Sequence, residues 1–175
     1  MAYGAAPTDV ALRPAAYGCT SGDLYSNPPA DEAARPARRL CLASLWLGAG
    51  LLDDAHDIVA PMSGGGTDAA YVHALLHRRE GPRVGELGLT GYANARYWFG
   101  VLGDHGLFPD VRAAALRESG LPDGFRATIA EAWDPLAFVD LCEAAAADGA
   151  DADYCRAVQQ AEWDALHARI AAGVT

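Results

Sequence analysis

Residues 37–59 read ARRLCLASLWLGAGLLDDAHDIV, a long stretch with no proline. At about 100° per residue, Leu42, Leu45, Trp46, Ala49 and Leu52 fall on one side of a helix. The pattern therefore predicts one amphipathic helix. Continued along the same wheel, Asp53 and His56 fall on the buried stripe, Asp57 at its edge and Asp54 off it. An unpaired polar group on a buried face costs about 1–3 kcal/mol, and a charge costs more. Three aspartates near a helix C-terminus also oppose the macrodipole. A cation, an arginine or a helix continuing past residue 57 would compensate.

A short link, PMSGGGT at 61–67, leads to TDAAYVHALLHRRE at 67–80, with Thr67 placed to cap the helix start. So short a link favours antiparallel neighbours and brings His56 toward His73. In this second helix Val72, Leu75 and Leu76 form the apolar stripe. His73, His77 and Glu80, spaced i, i+4 and i+7, cluster beside it. Two imidazoles four apart can share one divalent ion, and a carboxylate one turn on can be a further ligand or a base. The H-E-x-x-H protease pattern is absent, because Ala74 stands where its base would be.

Further helices are predicted over 92–103 (YANARYWFGVLG, stopped by Gly103), 108–120, 134–149 (Asp134 as N-cap, Pro135 in the first turn) and 151–173. No period-2 strand stands out. The expectation is an all-α, compact, single-domain bundle of about six helices. The helical domain covers 37–175. Residues 1–36, with Pro7, Pro14, Pro28, Pro29 and Pro36, form an irregular N-terminal arm packing on it. The Gly-rich connector 81–91 reads as a surface insertion.

Composition removes several function classes. The chain has 175 residues, 23 acids against 13 bases, and a net charge of −10. Every base is arginine, which excludes lysine Schiff-base chemistry and a Walker-type phosphate loop. No basic stripe exists for nucleic acid or an acidic membrane surface. The SGGGT turn at 63–67 lacks phosphate-loop spacing, and Asp68 would repel a phosphate. No G-x-S-x-G is present, and Ser44 and Ser63 have no distinguishing context. Cys19, Cys41, Cys142 and Cys155 form no C-x-x-C and read as reduced thiols. With neither a signal peptide nor a spanning apolar run, the expected location is cytoplasmic, and the Ala/Arg/Gly bias suggests a bacterial source. His105 reads as a turn residue and His167 as a surface one.

HALLHRREG (73–81) and YANARYWFGVLG (92–103) together resemble an uncharacterised, largely bacterial family with the pattern H-x-x-x-H-R-R-E-G, a short link, then N-A-x-Y-W-F. The histidine of DDAHD also fits that pattern. The resemblance covers roughly residues 45–103, and this chain departs from it by its longer link. It implies that His56, His73, His77, Arg78, Arg79, Glu80, Asn94, Tyr97 and Trp98 are candidate functional positions. It implies no reaction.

These observations define a polar pocket between helices 40–59 and 67–80, with 92–103 as a third wall. His56, His73 and His77 are the candidate ligands of one divalent metal, and Zn, Fe and Mn all suit such donors. Glu80 or Asp53 is the remaining ligand or a general base. Arg78 or Arg79 orients a small polar or anionic molecule, with Asn94, Arg96, Tyr97 and Trp98 as further contacts. The protein would then be a metal-dependent binding protein or hydrolase-like enzyme. Two readings stay beside it. The same residues could form a metal-free polar pocket. Or the protein could be a non-catalytic interaction module whose His-Arg-Arg-Glu turn is a structural polar network.

Overall fold

The computed structural model of the protein describes residues 35–85 and 88–174. Among these, eight α-helices and no strand are found, so the chain is all-α. They are α1 (Arg35–Ala49), α2 (Leu52–Val59), α3 (Asp68–Glu80), α4 (Gly91–Leu102), α5 (Phe108–Arg117), α6 (Asp123–Thr128), α7 (Pro135–Asp148) and α8 (Ala152–Ala172). The N-terminal arm expected over 1–36 lies outside the described residues except for its last two, which already belong to α1. No described helix is long and apolar enough to cross a membrane.

Two differences separate this architecture from the six helices read in the sequence. The short α6 has too few turns to show a periodicity. The stretch 37–59 is two helices rather than one. Gly50 adopts φ +79°, the Gly50 N–H donates to the Leu47 carbonyl at 3.1 Å, and the Leu51 N–H donates to the Trp46 carbonyl at 2.9 Å. This pair of bonds is a Schellman cap, in which a left-handed glycine satisfies the last carbonyls and turns the chain. The break invalidates the single wheel. Leu45 is buried as expected, but Leu42 and Trp46 are half-buried and Ala49 is exposed; Cys41, Ala43, Ser44 and Leu47 are buried instead.

The restarted helix α2 lays Ala55, Ile58 and Val59 into the core. A 3-10 turn, Ala60–Met62, follows, with Pro61 supplying a preset φ. Thr67 then caps α3 by accepting from the Ala70 N–H at 3.1 Å, as Thr90 caps α4 and Asp134 caps α7.

Helix α3 is the hub. Every residue from Ala69 to Arg78 is buried, because α1, α2, α4 and α8 all pack on it. It thus has no solvent face along those two and a half turns, and its polar residues must find partners inside the protein. The link to α4 is tied by one antiparallel bridge, Val84 with Thr90, and the Gly91 N–H donates to the Arg83 carbonyl at 3.0 Å.

Candidate metal centre

The α2–α3 turn does bring the histidines together. The ring centroids of His56 and His73 lie 4.9 Å apart, those of His56 and His77 5.4 Å, and those of His73 and His77 4.7 Å. One ring nitrogen from each lies within 4.8 Å of the others. Three histidines thus form a group that could hold a metal ion. His73 and His77 are buried, and His56 is half-buried at the mouth.

Hydrogen bonding fixes which nitrogen each buried ring presents. The Ser63 hydroxyl lies 2.7 Å from the Val59 carbonyl and 3.0 Å from His73 Nδ1. A carbonyl only accepts, so the hydroxyl proton points to Val59. Ser63 must then accept from His73 Nδ1–H. The Nε2 of His73 is left with a lone pair, and that atom is buried with no hydrogen-bond partner. His77 repeats the arrangement, its Nδ1–H donating to Glu80 Oε2 at 2.7 Å. A partner on the far ring nitrogen is the usual device for orienting a metal-binding imidazole. The Trp98 indole stacks on His73 at 3.9 Å and holds the ring plane.

The electrostatics favour neutral imidazole. Burial, followed by the proximity of His77 and His56, pushes the His73 pKa down to about 3. An orphaned acceptor costs about 1–3 kcal/mol when buried. Protonation is disfavoured there, so the group best suited to satisfy that lone pair is a cation or a donor from a ligand.

The histidines open into a cleft of about 910 Å³. Asp53, Asp57 and Glu80 line it, as do Asn94, Tyr97 and Trp98 of α4. The link between α3 and α4 is no mere surface insertion: it supplies Arg83, Val84, Gly85 and Leu89 to the same wall.

Several expected residues stand elsewhere. Asp53 is not on a buried stripe; its side chain is 84% exposed and pairs with Arg83 at 3.5 Å, because the Gly50 turn rotated α2 away from the extrapolated wheel. Glu80 does line the cleft, where it accepts from His77. Arg78 and Arg79 do not face the cleft. Arg78 points to the opposite side of α3 and pairs with Glu162 of α8, its guanidinium lying over Phe138 at 4.7 Å. Burial is the largest influence and opposes that charge, but Glu162, Cys142 and Tyr71 together outweigh it and raise the Arg78 pKa. Tyr71 completes the network by donating to Glu162 Oε1 at 2.8 Å. Arg79 donates to the Leu47 carbonyl at the end of α1. Arg96 pairs with Asp140, Nε to Oδ1 at 2.9 Å, and with Glu143, both on α7.

Three polar residues were misread. His167 is buried rather than on the surface, with its Nδ1 2.6 Å from the Ser44 hydroxyl. Ser44 thereby has a structural partner. Ser63, which has no distinguishing context in the sequence, bonds to His73 Nδ1. The only sequence signal for it was its place four residues after Val59, where a hydroxyl can reach back to a helical carbonyl. His105 does sit in a turn, but buried, bonded to Asp68 at 2.9 Å. No protein-family model, no curated protein and no solved structure matches this chain.

Proposed function

We propose that His56, His73 and His77 bind one divalent cation and that the protein is a metal-dependent, hydrolase-like enzyme acting on a small molecule in the adjoining cleft. The observation that carries this reading is the buried, unpartnered Nε2 of His73, on a ring bonded to Ser63 within the cluster of three histidines. Donors around a tetrahedral ion with metal–nitrogen bonds of about 2.0–2.1 Å lie roughly 3.3 Å apart. The three nitrogens, no more than 4.8 Å apart, need only a modest closure, and half-buried His56 is the member with room to turn.

Three histidine ligands would leave a coordination position for water. A bound ion lowers the pKa of such a water to about 7, which supplies hydroxide near neutral pH. Ser63 and Glu80 occupy the Nδ1 atoms of His73 and His77 and leave each Nε2 for the ion. Zinc, iron and manganese each suit this donor set. The resemblance of His73–Gly81 and Asn94–Phe99 to the H-x-x-x-H-R-R-E-G and N-A-x-Y-W-F pattern belongs to the same proposal. On this reading the pattern divides in two. His73, His77, Glu80, Asn94 and Trp98 build the site, while Arg78 and Arg79 tie α3 to α8 and α1.

The interaction-module reading draws on the Arg78–Glu162–Tyr71 network, which is structural. It leaves the orphaned His73 Nε2 without a purpose. Metal analysis of untagged protein reconstituted with zinc, iron(II) or manganese tests the choice. One equivalent of one metal, and hydrolysis of a panel of simple esters and amides that a chelator abolishes, is the expected result. Absence of stoichiometric metal under all three conditions removes the metal site. Stoichiometric metal with no chelator-sensitive hydrolysis removes the enzymatic half.

A further inference from the structure

Which molecules the cleft accepts can be read from its walls, and this step rests on the proposed metal cleft only for where the reacting bond would lie. Among the described residues, the cleft carboxylates of Asp53, Asp57 and Glu80 stand against one guanidinium, Arg83. Arg83 is already paired with Asp53, and Glu80 with His77. Asp57 is the exposed carboxylate of the cleft with no ion-pair partner among the described residues. The three arginines that might have drawn an anion, Arg78, Arg79 and Arg96, are committed to other helices.

The second observation concerns the depth of the cleft. His73 is 98% buried, and its Nε2 offers a lone pair that nothing in the described structure meets. In the metal-free protein both the rim and the floor therefore offer electron pairs. The third concerns the mouth. Val84, Leu89 and Tyr97 are three of the five large apolar side chains exposed among the described residues, and all three line this cleft. These three side chains give the mouth an apolar lip.

We infer that the cleft takes a small organic cation with an apolar arm: an ammonium or guanidinium group directed to Asp57, and a hydrocarbon or aromatic part seated on Val84, Leu89 and Tyr97. The exposed Tyr97 ring adds a face for the cation. Of the small polar or anionic molecules expected from the sequence, this sets aside the anionic ones, because the arginines that supported them are used elsewhere.

The test is a matched series of probes with one ring and three charges: benzylamine, benzyl alcohol and benzoate. Each is titrated into chelator-treated protein at low ionic strength, following the Trp98 indole signal by NMR, assigned with Trp98→Phe. Benzylamine should bind about two- to five-fold more tightly than benzyl alcohol, the scale of one exposed charge pair, and benzoate should bind most weakly. Asp57→Asn should erase the advantage of the amine and leave the alcohol unchanged. Val84→Ser with Leu89→Ser should weaken amine and alcohol alike. Benzoate binding as tightly as benzylamine overturns the inference, as does an amine advantage that survives Asp57→Asn or no saturable shift with any probe. Zinc uptake measured separately on the same protein distinguishes the two proposals. An amine preference in a protein that takes up no metal sinks the metal centre alone, and a metal-binding protein without that preference sinks the ligand class alone.

Discussion

Gly91, the first residue of α4, sits against the turn of α3 that carries the site: a Cβ there would lie 2.4 Å from the His77 carbonyl oxygen and 2.7 Å from Glu80 Cβ. Only glycine permits that approach, and through it α4 sets where His77 and Glu80 stand. Gly91→Ala should destabilise the fold by about 1–3 kcal/mol, the usual cost of overpacking. It should also weaken metal uptake beyond what the lost stability explains. Thermal melts with and without metal measure both. Unchanged stability would show that the two helices separate easily.

Ser63 and Glu80 act on the site through the imidazoles they hold. Ser63→Ala and Glu80→Gln should each lower metal affinity about 10- to 100-fold, the range seen for outer-shell partners. Calorimetric titration reads this. Affinity within threefold of the parent in both variants would mean the rings are oriented by packing alone.

The Arg78–Glu162 pair should be structural and silent at the site. Glu162→Ala leaves a buried guanidinium unbalanced and should cost about 3–5 kcal/mol. The double replacement Arg78→Met, Glu162→Leu should recover most of that loss while metal affinity stays constant. A double variant that folds but no longer binds metal would return Arg78 to the site.

Acid should unfold the metal-free protein through its buried histidines. The folded pKa of His73 is about 3 against about 6.5 in an unfolded chain, and burial also lowers that of His167. Between those values the unfolded chain binds more protons than the folded one, so stability falls as pH drops below about 6.5 and is level above it. The loss should reach a few kcal/mol near pH 4. Urea melts of chelator-treated protein across pH 4–8 provide the check. His73→Phe should flatten the curve.

The convergence of His56 on His73 and His77 was legible because it needed only two facts, a short link and the i, i+4 spacing. The caps at Thr67 and Asp134 were legible for the same local reason. What failed was extrapolation. One periodic wheel drawn through Gly50 put Asp53 on a buried face, although the GAG at 48–50 already offered the glycine that a Schellman turn uses. Arg78 and Arg79 follow His77 in sequence, yet successive residues on a helix point about 100° apart, so adjacency to a site residue placed them away from it. Their partners, Glu162 and the Leu47 carbonyl, are long-range and leave no local trace. Arg83, Val84 and Leu89 were hidden because their connector shows no periodicity at all.

Crystals soaked in zinc and measured at its absorption edge test the central assignment most directly. The account predicts one anomalous peak within about 2.0–2.1 Å of His73 Nε2, His77 Nε2 and a ring nitrogen of His56. A map with no peak there, His56 turned outward and a water donating to His73 Nε2, would contradict it.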